Sequence, residues 1–99
     1  MGWWPPEGME LHDAGNGVQW SWFTTKKEGR VGILEWHHCS GSKGPQPSPG
    51  AIYFTHAPAE WRGPRWTLQK EDPLTISPSI RCRACGLHGF IQEGRWIPA

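Results

Sequence analysis

The chain has 99 residues and carries ten basic and nine acidic side chains, which gives a net charge of +1. This length fits one small domain, and the near-zero net charge removes the electrostatic basis for non-specific nucleic-acid binding. Eight tryptophans, thirteen glycines and ten prolines favour β-strands joined by long loops, because good helix formers are scarce.

The N-terminal segment begins with WWPPEG, whose two prolines exclude a helix interior and a central strand. We therefore predict an arm over residues 1–16, followed by a single β domain over residues 17–99. No basic stretch precedes an apolar run, so no signal peptide is predicted, and no apolar run is long enough to cross a membrane. We expect a cytoplasmic protein, in a reducing compartment where free thiols persist.

Two strands are predicted in the first half of the domain. Residues 17–25, GVQWSWFTT, alternate between apolar and polar side chains, which is typical of a half-buried strand. A second strand follows the turn KKEG and covers residues 30–39, RVGILEWHHC. The two-residue period places Glu35, His37 and Cys39 on one face of this strand.

The second half alternates between loops and short strands. Residues 40–50 have no periodicity and are predicted to form a loop, and residues 51–56, AIYFTH, form a third strand. The stretch WTLQKEDPLTISPSI, residues 66–80, has a possible strand at each end. Residues 88–98, HGFIQEGRWIP, predict a hairpin with the three-residue loop QEG. The expected fold is thus a small, mostly antiparallel β domain with long loops.

Two of the three cysteines form the sequence Cys82-x2-Cys85-Gly86. Thiolates at this spacing on a tight turn can reach one ion, and glycine allows the positive φ at the exit of such a turn. The third thiol, Cys39, lies at the end of a predicted strand. A tetrahedral zinc site needs a fourth ligand, for which His88 and His37 are the two candidates. We predict one Zn²⁺ bound by Cys39, Cys82 and Cys85 with one of these histidines, as a staple for a small core.

The number of protein ligands would determine what this zinc does. Four protein ligands make a structural site, whereas three ligands plus a water make a catalytic one that needs a general base. Glu35, Glu71 and Asp72 are the nearby candidate bases, but each is expected to be a surface carboxylate. No metalloprotease or deaminase motif is present, and no βαβ pattern supports a redox Cys-x2-Cys.

The two serines of SPSI, Ser77 and Ser79, are not predicted to be nucleophiles. They lack the Gly-x-Ser-x-Gly sequence of a nucleophile elbow. Ser77-Pro78 is typical of a turn before a short strand.

Residues 73–97, PLTISPSIRCRACGLHGFIQEGRWI, resemble the signature of a small family of phages and bacteria, Domain of Unknown Function sixty-five twenty-seven. The resemblance covers about a quarter of the chain closely, and residues 31–68 loosely. The matching positions are His37 and Cys39, Trp66, residues 73–80, Cys85 and His88, and residues 90–96.

The resemblance has implications for the site and for activity. It implies that Cys85 and His88 are a ligand pair completed by residues near Cys39. His37 then replaces a thiolate of other members, and Cys82 is either the fourth ligand or a bystander. Some bacterial members lie beside ubiquitin-like conjugation genes and have been suspected of being peptidases.

Three functional hypotheses follow. The leading one is a phage-encoded accessory protein with a structural zinc that binds a host or phage protein, for example against host defence. The alternative is a zinc-dependent hydrolase or peptidase that acts on ubiquitin-like or peptide substrates. A weaker third hypothesis is nucleic-acid binding through Arg81, Arg83 and Arg95. Whether the protein is an enzyme is left open, with binding preferred.

Overall fold

A computed structural model of the chain describes residues 10–37, 49–83 and 85–99. The regular secondary structure of these residues consists of strands, as the composition predicted. Within the described ranges, no helix is long and apolar enough to span a membrane. The strands are β1 (His12–Gly15), β2 (Val18–Thr25), β3 (Gly29–Trp36), β4 (Pro49–Phe54), β5 (Arg65–Glu71), β6 (Leu74–Ser77), β7 (Ile80–Arg81), β8 (His88–Gln92) and β9 (Arg95–Pro98).

Strands β1 to β6 form one sheet in sequence order. Neighbouring strands are antiparallel except β4 and β5, which run parallel. Asn16 and Gly17 form the turn between β1 and β2, with φ values of 56° and 78°. This pair is the preferred sequence for a two-residue hairpin turn, in which both residues need positive φ. The predicted arm over residues 1–16 therefore includes an edge strand, while residues 1–9 lie outside the described ranges.

Strands β7, β8 and β9 form a second, three-stranded antiparallel sheet. The predicted hairpin is confirmed as β8 and β9, but the prediction of a three-residue loop is wrong. Gln92 pairs with Arg95, so the turn contains only Glu93 and Gly94, with φ values of 51° and 77°. Glu93 accepts this left-handed conformation because its backbone N–H and its carboxylate both interact with the hydroxyl of Thr75.

The apolar core combines side chains from both sheets. The large sheet contributes residues of β1 to β4 and β6, and the small sheet contributes residues of β7, β8 and β9. The buried members are Ala14, Val18, Trp20, Ile33, Ile52, Phe54, Leu74, Ile76, Ile80, Ile91 and Trp96. Burial of one such large side chain stabilises the fold by about 1.5–3 kcal/mol.

The orientation of β8 is set by close packing of Gly89 on Trp96. A Cβ atom at position 89 would lie 2.6 Å from the Trp96 ring, nearer than packed atoms allow. Gly89 and Ile91 therefore face the core, and the two-residue period turns His88 and Phe90 to the opposite face. The imidazole of His88 therefore lies on the outer face of the small sheet.

Candidate metal centre and catalytic pair

Three potential metal ligands come together from separate parts of the chain. His37 directly follows β3, Cys82 directly follows β7, and Cys85 lies in the loop before β8. Their ligand atoms all lie within 4.8 Å of one another, and His37 Nε2 is 3.4 Å from Cys85 Sγ. A tetrahedral ion with ordinary Zn–S and Zn–N bonds would place such atoms roughly 3.6 Å apart. The group can therefore hold a metal ion with little rearrangement.

The loop that carries the two thiols is closed by its own backbone. The Cys82 N–H donates to the Leu87 carbonyl and the Gly86 N–H donates to the Cys82 carbonyl, both at 2.8 Å. Gly86 has a φ of 83°, which is the left-handed conformation predicted for this position. The metal-binding group thus links the β7–β8 loop of the small sheet to the end of β3 in the large sheet.

Glu35 is the second partner of His37, and the prediction that it is a surface carboxylate is wrong. It is only 3% exposed, His37 is 7% exposed, and Glu35 Oε2 lies 2.6 Å from His37 Nδ1. Side chains alternate between the two faces of a strand, so Glu35 lies on the same face of β3 as the buried Val31 and Ile33. A buried carboxylate is stable only with a close partner, and His37 is that partner.

Each of the two groups affects the protonation of the other. Burial raises the pKa of the Glu35 carboxyl, against the effect of its hydrogen bond to His37. Burial disfavours the charged imidazole of His37. The hydrogen bond and charge of Glu35, with smaller contributions from hydrogen bonds to Cys85 and Cys82, outweigh this and raise the pKa of His37 to about 9. Glu35 thereby keeps a proton on Nδ1 and directs Nε2 towards the thiols. A carboxylate behind the imidazole is the usual outer partner of a metal-bound histidine.

The structure brings together His37, Cys82 and Cys85 of the five predicted metal ligands. Cys39 lies outside the described residues. His88 is not part of the group, since it lies on the exposed face of β8. The fourth ligand predicted from the sequence therefore stays a prediction, and His37 is the histidine that the described geometry places beside Cys82 and Cys85.

His88 instead contacts Ser79, a residue that the sequence analysis did not select. His88 Nε2 lies 2.8 Å from Ser79 Oγ. Ser79 lies in the connection between β6 and β7, directly before β7. In the β7–β8 pair, Ile80 is opposite Gly89 and Arg81 is opposite His88. Ser79 is therefore diagonally across from His88. A hydroxyl within hydrogen-bonding distance of an imidazole is the geometry of an activated nucleophile.

The sequence did contain a signal for this pair. The segments SPSI and GLHGF flank the Cys-x2-Cys loop, and a loop closed by two thiols on one ion brings its flanking strands together. A serine just before the first strand and a histidine at the start of the second then meet across the hairpin. The absence of a Gly-x-Ser-x-Gly elbow excluded only the nucleophile geometry of one fold class.

The pair is accessible from solvent. His88 is exposed and Ser79 is half-buried. Ser79 also lines a surface groove with a volume of about 540 Å³, together with Pro64, Trp66, Arg81 and Arg83. The Trp66 indole N–H donates to the Ser79 carbonyl at 3.2 Å, which holds the backbone of the serine against the groove wall. Ser79 therefore both lines the groove and contacts His88.

These features define a small β protein with a partly buried thiol–imidazole metal-binding group and a solvent-accessible serine–histidine pair. The chain belongs to the BubE family, whose model is described as the bacterial ubiquitination-like system serine protease and matches residues 22–99. The match covers the metal-binding group, Ser79 and His88. Neither the curated proteins nor the solved structures include a significant match to the chain.

Proposed function

We propose that the chain is a serine hydrolase that cleaves a peptide or isopeptide bond at the tail of a ubiquitin-like protein. Ser79 is the nucleophile and His88 is the general base. The observation that carries the proposal is the 2.8 Å contact between Ser79 Oγ and His88 Nε2 beside an open groove. Membership of a family described as a serine protease of a ubiquitination-like system supports the reaction type and the substrate class.

The reaction follows from the positions of these two side chains. Ser79 Oγ attacks the carbonyl carbon of the scissile bond while its proton moves to His88 Nε2. The amine leaves with that proton, and an ester of Ser79 is formed. Water then attacks the ester, gives its proton to His88, and releases the acid and the free serine. Within the described residues no carboxylate contacts the His88 ring, so the structure supports a dyad.

The metal-binding group has a structural role in this proposal. Two thiols and an imidazole are a ligand set typical of zinc, and a zinc ion bound by thiolates is a weak Lewis acid. The loop that carries Cys82 and Cys85 joins β7 to β8, the strands that position Ser79 and His88. A bound Zn²⁺ would therefore fix the distance between nucleophile and base without contacting either of them.

Two of the three candidate bases for a zinc-dependent hydrolase are paired with other side chains. Glu35 is hydrogen-bonded to His37 behind the ligand atom. Glu71 pairs with Arg30 at 2.6 Å, and both Glu71 and Asp72 line a different groove beside Trp22. These contacts favour the serine reaction over the zinc-dependent alternative predicted from the sequence.

The test is the rate of release of a reporter from the C-terminus of ubiquitin-like proteins, measured for Ser79→Ala and for the control Ser77→Ala. Ser77 is two residues away and lies in β6, where it pairs with Thr67. We expect Ser79→Ala to lower the rate by on the order of a thousandfold or more while the fold and the bound metal are retained. Equal, measurable rates for Ser79→Ala and the parent would overturn the proposal in favour of the zinc-dependent alternative. No release by either protein would also overturn it and would leave partner binding, the leading sequence-based hypothesis, as the function.

A further inference from the structure

The groove beside Ser79 is lined by residues of two kinds. Pro64 and Trp66 are apolar, and Arg81 and Arg83 are cationic. Both arginines are exposed. Arg81 is two residues from Ser79 on the same strand face and pairs directly with His88 across the sheet, so positive charge lies next to the serine–histidine pair.

Other arginines of the large sheet have structural partners. Arg30 pairs with Glu71 and lies 4.2 Å from the centre of the Trp22 ring. Arg65 donates to three backbone carbonyls. Among the described residues, by contrast, no carboxylate forms an ion pair with Arg81 or Arg83. Their charges are available to a ligand in the groove.

We propose that Arg81 and Arg83 bind a carboxylate of the substrate and thereby select which bond is placed at Ser79. The inference rests on the proposed function and deepens it. A guanidinium group matches a carboxylate with two parallel hydrogen bonds, which fixes orientation as well as distance. The neighbouring substrate residue packs on Trp66 and Pro64, so the groove accepts a short peptide segment that ends in, or contains, a negative charge.

The carboxylate has two possible chemical sources. A chain terminus supplies one if only a few residues follow the scissile bond, as in the trimming of a precursor tail. An aspartate or glutamate side chain supplies one within a longer segment. Both present the same group to Arg81 and Arg83, and they are separated by using peptides in which only one of the two is present.

The groove differs from a general nucleic-acid surface. The net charge of the chain is +1, and Arg95, the third residue of the basic cluster considered from the sequence, does not line this groove. Two arginines in a groove that also contains Pro64 and Trp66 suit one anionic group better than a run of phosphates, for which a broad basic face is typical.

The test measures binding by the Ser79→Ala variant of the 99-residue chain, so that it does not depend on turnover. The probes are acetyl-tetraalanine with a free C-terminal carboxylate, the same peptide as its C-terminal amide, and a peptide amide in which glutamate replaces the second alanine. Binding is followed by NMR through the backbone amides of residues 79–83 and the Nε–H groups of the arginines. We expect the free acid, the glutamate peptide or both to bind at this site, and the uncharged amide to bind at least tenfold more weakly.

Arg81→Gln and Arg83→Gln should each weaken binding of the charged peptide by about tenfold, since each removes a charge-assisted hydrogen bond. Arg95→Gln is the matched control and should bind as the parent does. Equal affinity for the charged and uncharged peptides, or no effect of either groove variant, would overturn the inference. Tighter and steeply salt-dependent binding of a single-stranded oligonucleotide through the same residues would replace it with nucleic-acid recognition.

The peptide-binding and hydrolysis experiments test the carboxylate inference and the proposed serine reaction separately. If the parent protein shows no hydrolysis but the charged peptide binds through Arg81 and Arg83, the groove is a recognition site and the proposed serine reaction is wrong. If hydrolysis requires Ser79 but the peptides do not distinguish charge, the reaction stands and the carboxylate inference is wrong.

Discussion

His37 and His88 both make close polar contacts, but in opposite environments. His37 is 7% exposed, with a buried carboxylate at Nδ1 and a thiol at Nε2. His88 is exposed, and its Nε2 meets a serine hydroxyl at the edge of a groove. A buried imidazole between a carboxylate and a thiol is positioned to bind an ion, whereas one that faces solvent and a hydroxyl can exchange protons with a substrate. Burial and partner type therefore separate the two roles more clearly than sequence spacing does.

Substitution of the two histidines should have opposite consequences. His88→Gln removes the proposed base, so we expect the hydrolytic rate to fall by about two to four orders of magnitude while the metal content stays at the parental value. The measurement is the rate of reporter release together with elemental analysis of the same preparation.

His37→Gln is the matched comparison for His88→Gln. It removes a ligand, so the protein should lose metal and melt at a lower temperature, because metal-binding free energy is also folding free energy. If His88→Gln lost the metal instead, His88 would be the fourth ligand, as the sequence allowed, and its contact with Ser79 would not be catalytic.

The carboxylate behind His37 should affect the metal site without affecting the serine directly. Glu35→Gln keeps the size of the side chain but removes the charge that holds the proton on Nδ1. We expect a loss of about 10- to 100-fold in metal affinity, which is typical for removal of such an outer partner. The measurement is competition with a chromogenic chelator.

Glu28→Gln provides the control for Glu35→Gln, since Glu28 lies in the exposed β2–β3 turn. At saturating metal, hydrolysis by the Glu35 variant should return close to the parental rate. A rate that stayed low with the metal fully bound would mean that Glu35 acts in the reaction itself.

The fold class and most of the strands could be predicted from the sequence. Alternation in GVQWSWFTT located β2, and the Cys-x2-Cys-Gly spacing located the loop that carries the two thiols. Periodicity also put Glu35, His37 and Cys39 on one face, but it could not tell which face is buried, because a carboxylate looks like a surface residue until its partner is known.

The serine–histidine pair depends on tertiary structure. Ser79 and His88 are separated by a loop that contains the two thiols, and their contact depends on the register Ile80–Gly89. Neither residue has a local motif that identifies it. Proximity to Cys85 in sequence makes His88 one of the two candidate fourth ligands, whereas alternation on β8 places it on the outer face with Phe90.

The last prediction concerns pH and applies to the protein after removal of metal by a chelator under reducing conditions. The pKa of His37 is about 9 in the folded state, raised from an ordinary value of 6.5 mainly by Glu35 and to a smaller extent by the two thiols. A raised folded-state pKa means that the protonated imidazole stabilises the fold fully below pH 6.5, and that this contribution is lost as the pH rises through 9. The melting temperature of the metal-free parent should therefore fall over this interval. In Glu35→Gln that decline should be largely removed, because the charge that raises the pKa is gone, whereas His88→Gln should keep it. The comparison uses melting curves of the three proteins recorded from about pH 6 to about pH 9.5. If the melting temperature of Glu35→Gln fell with pH as much as that of the parent, the thiols and not the His37–Glu35 pair would control the pH dependence.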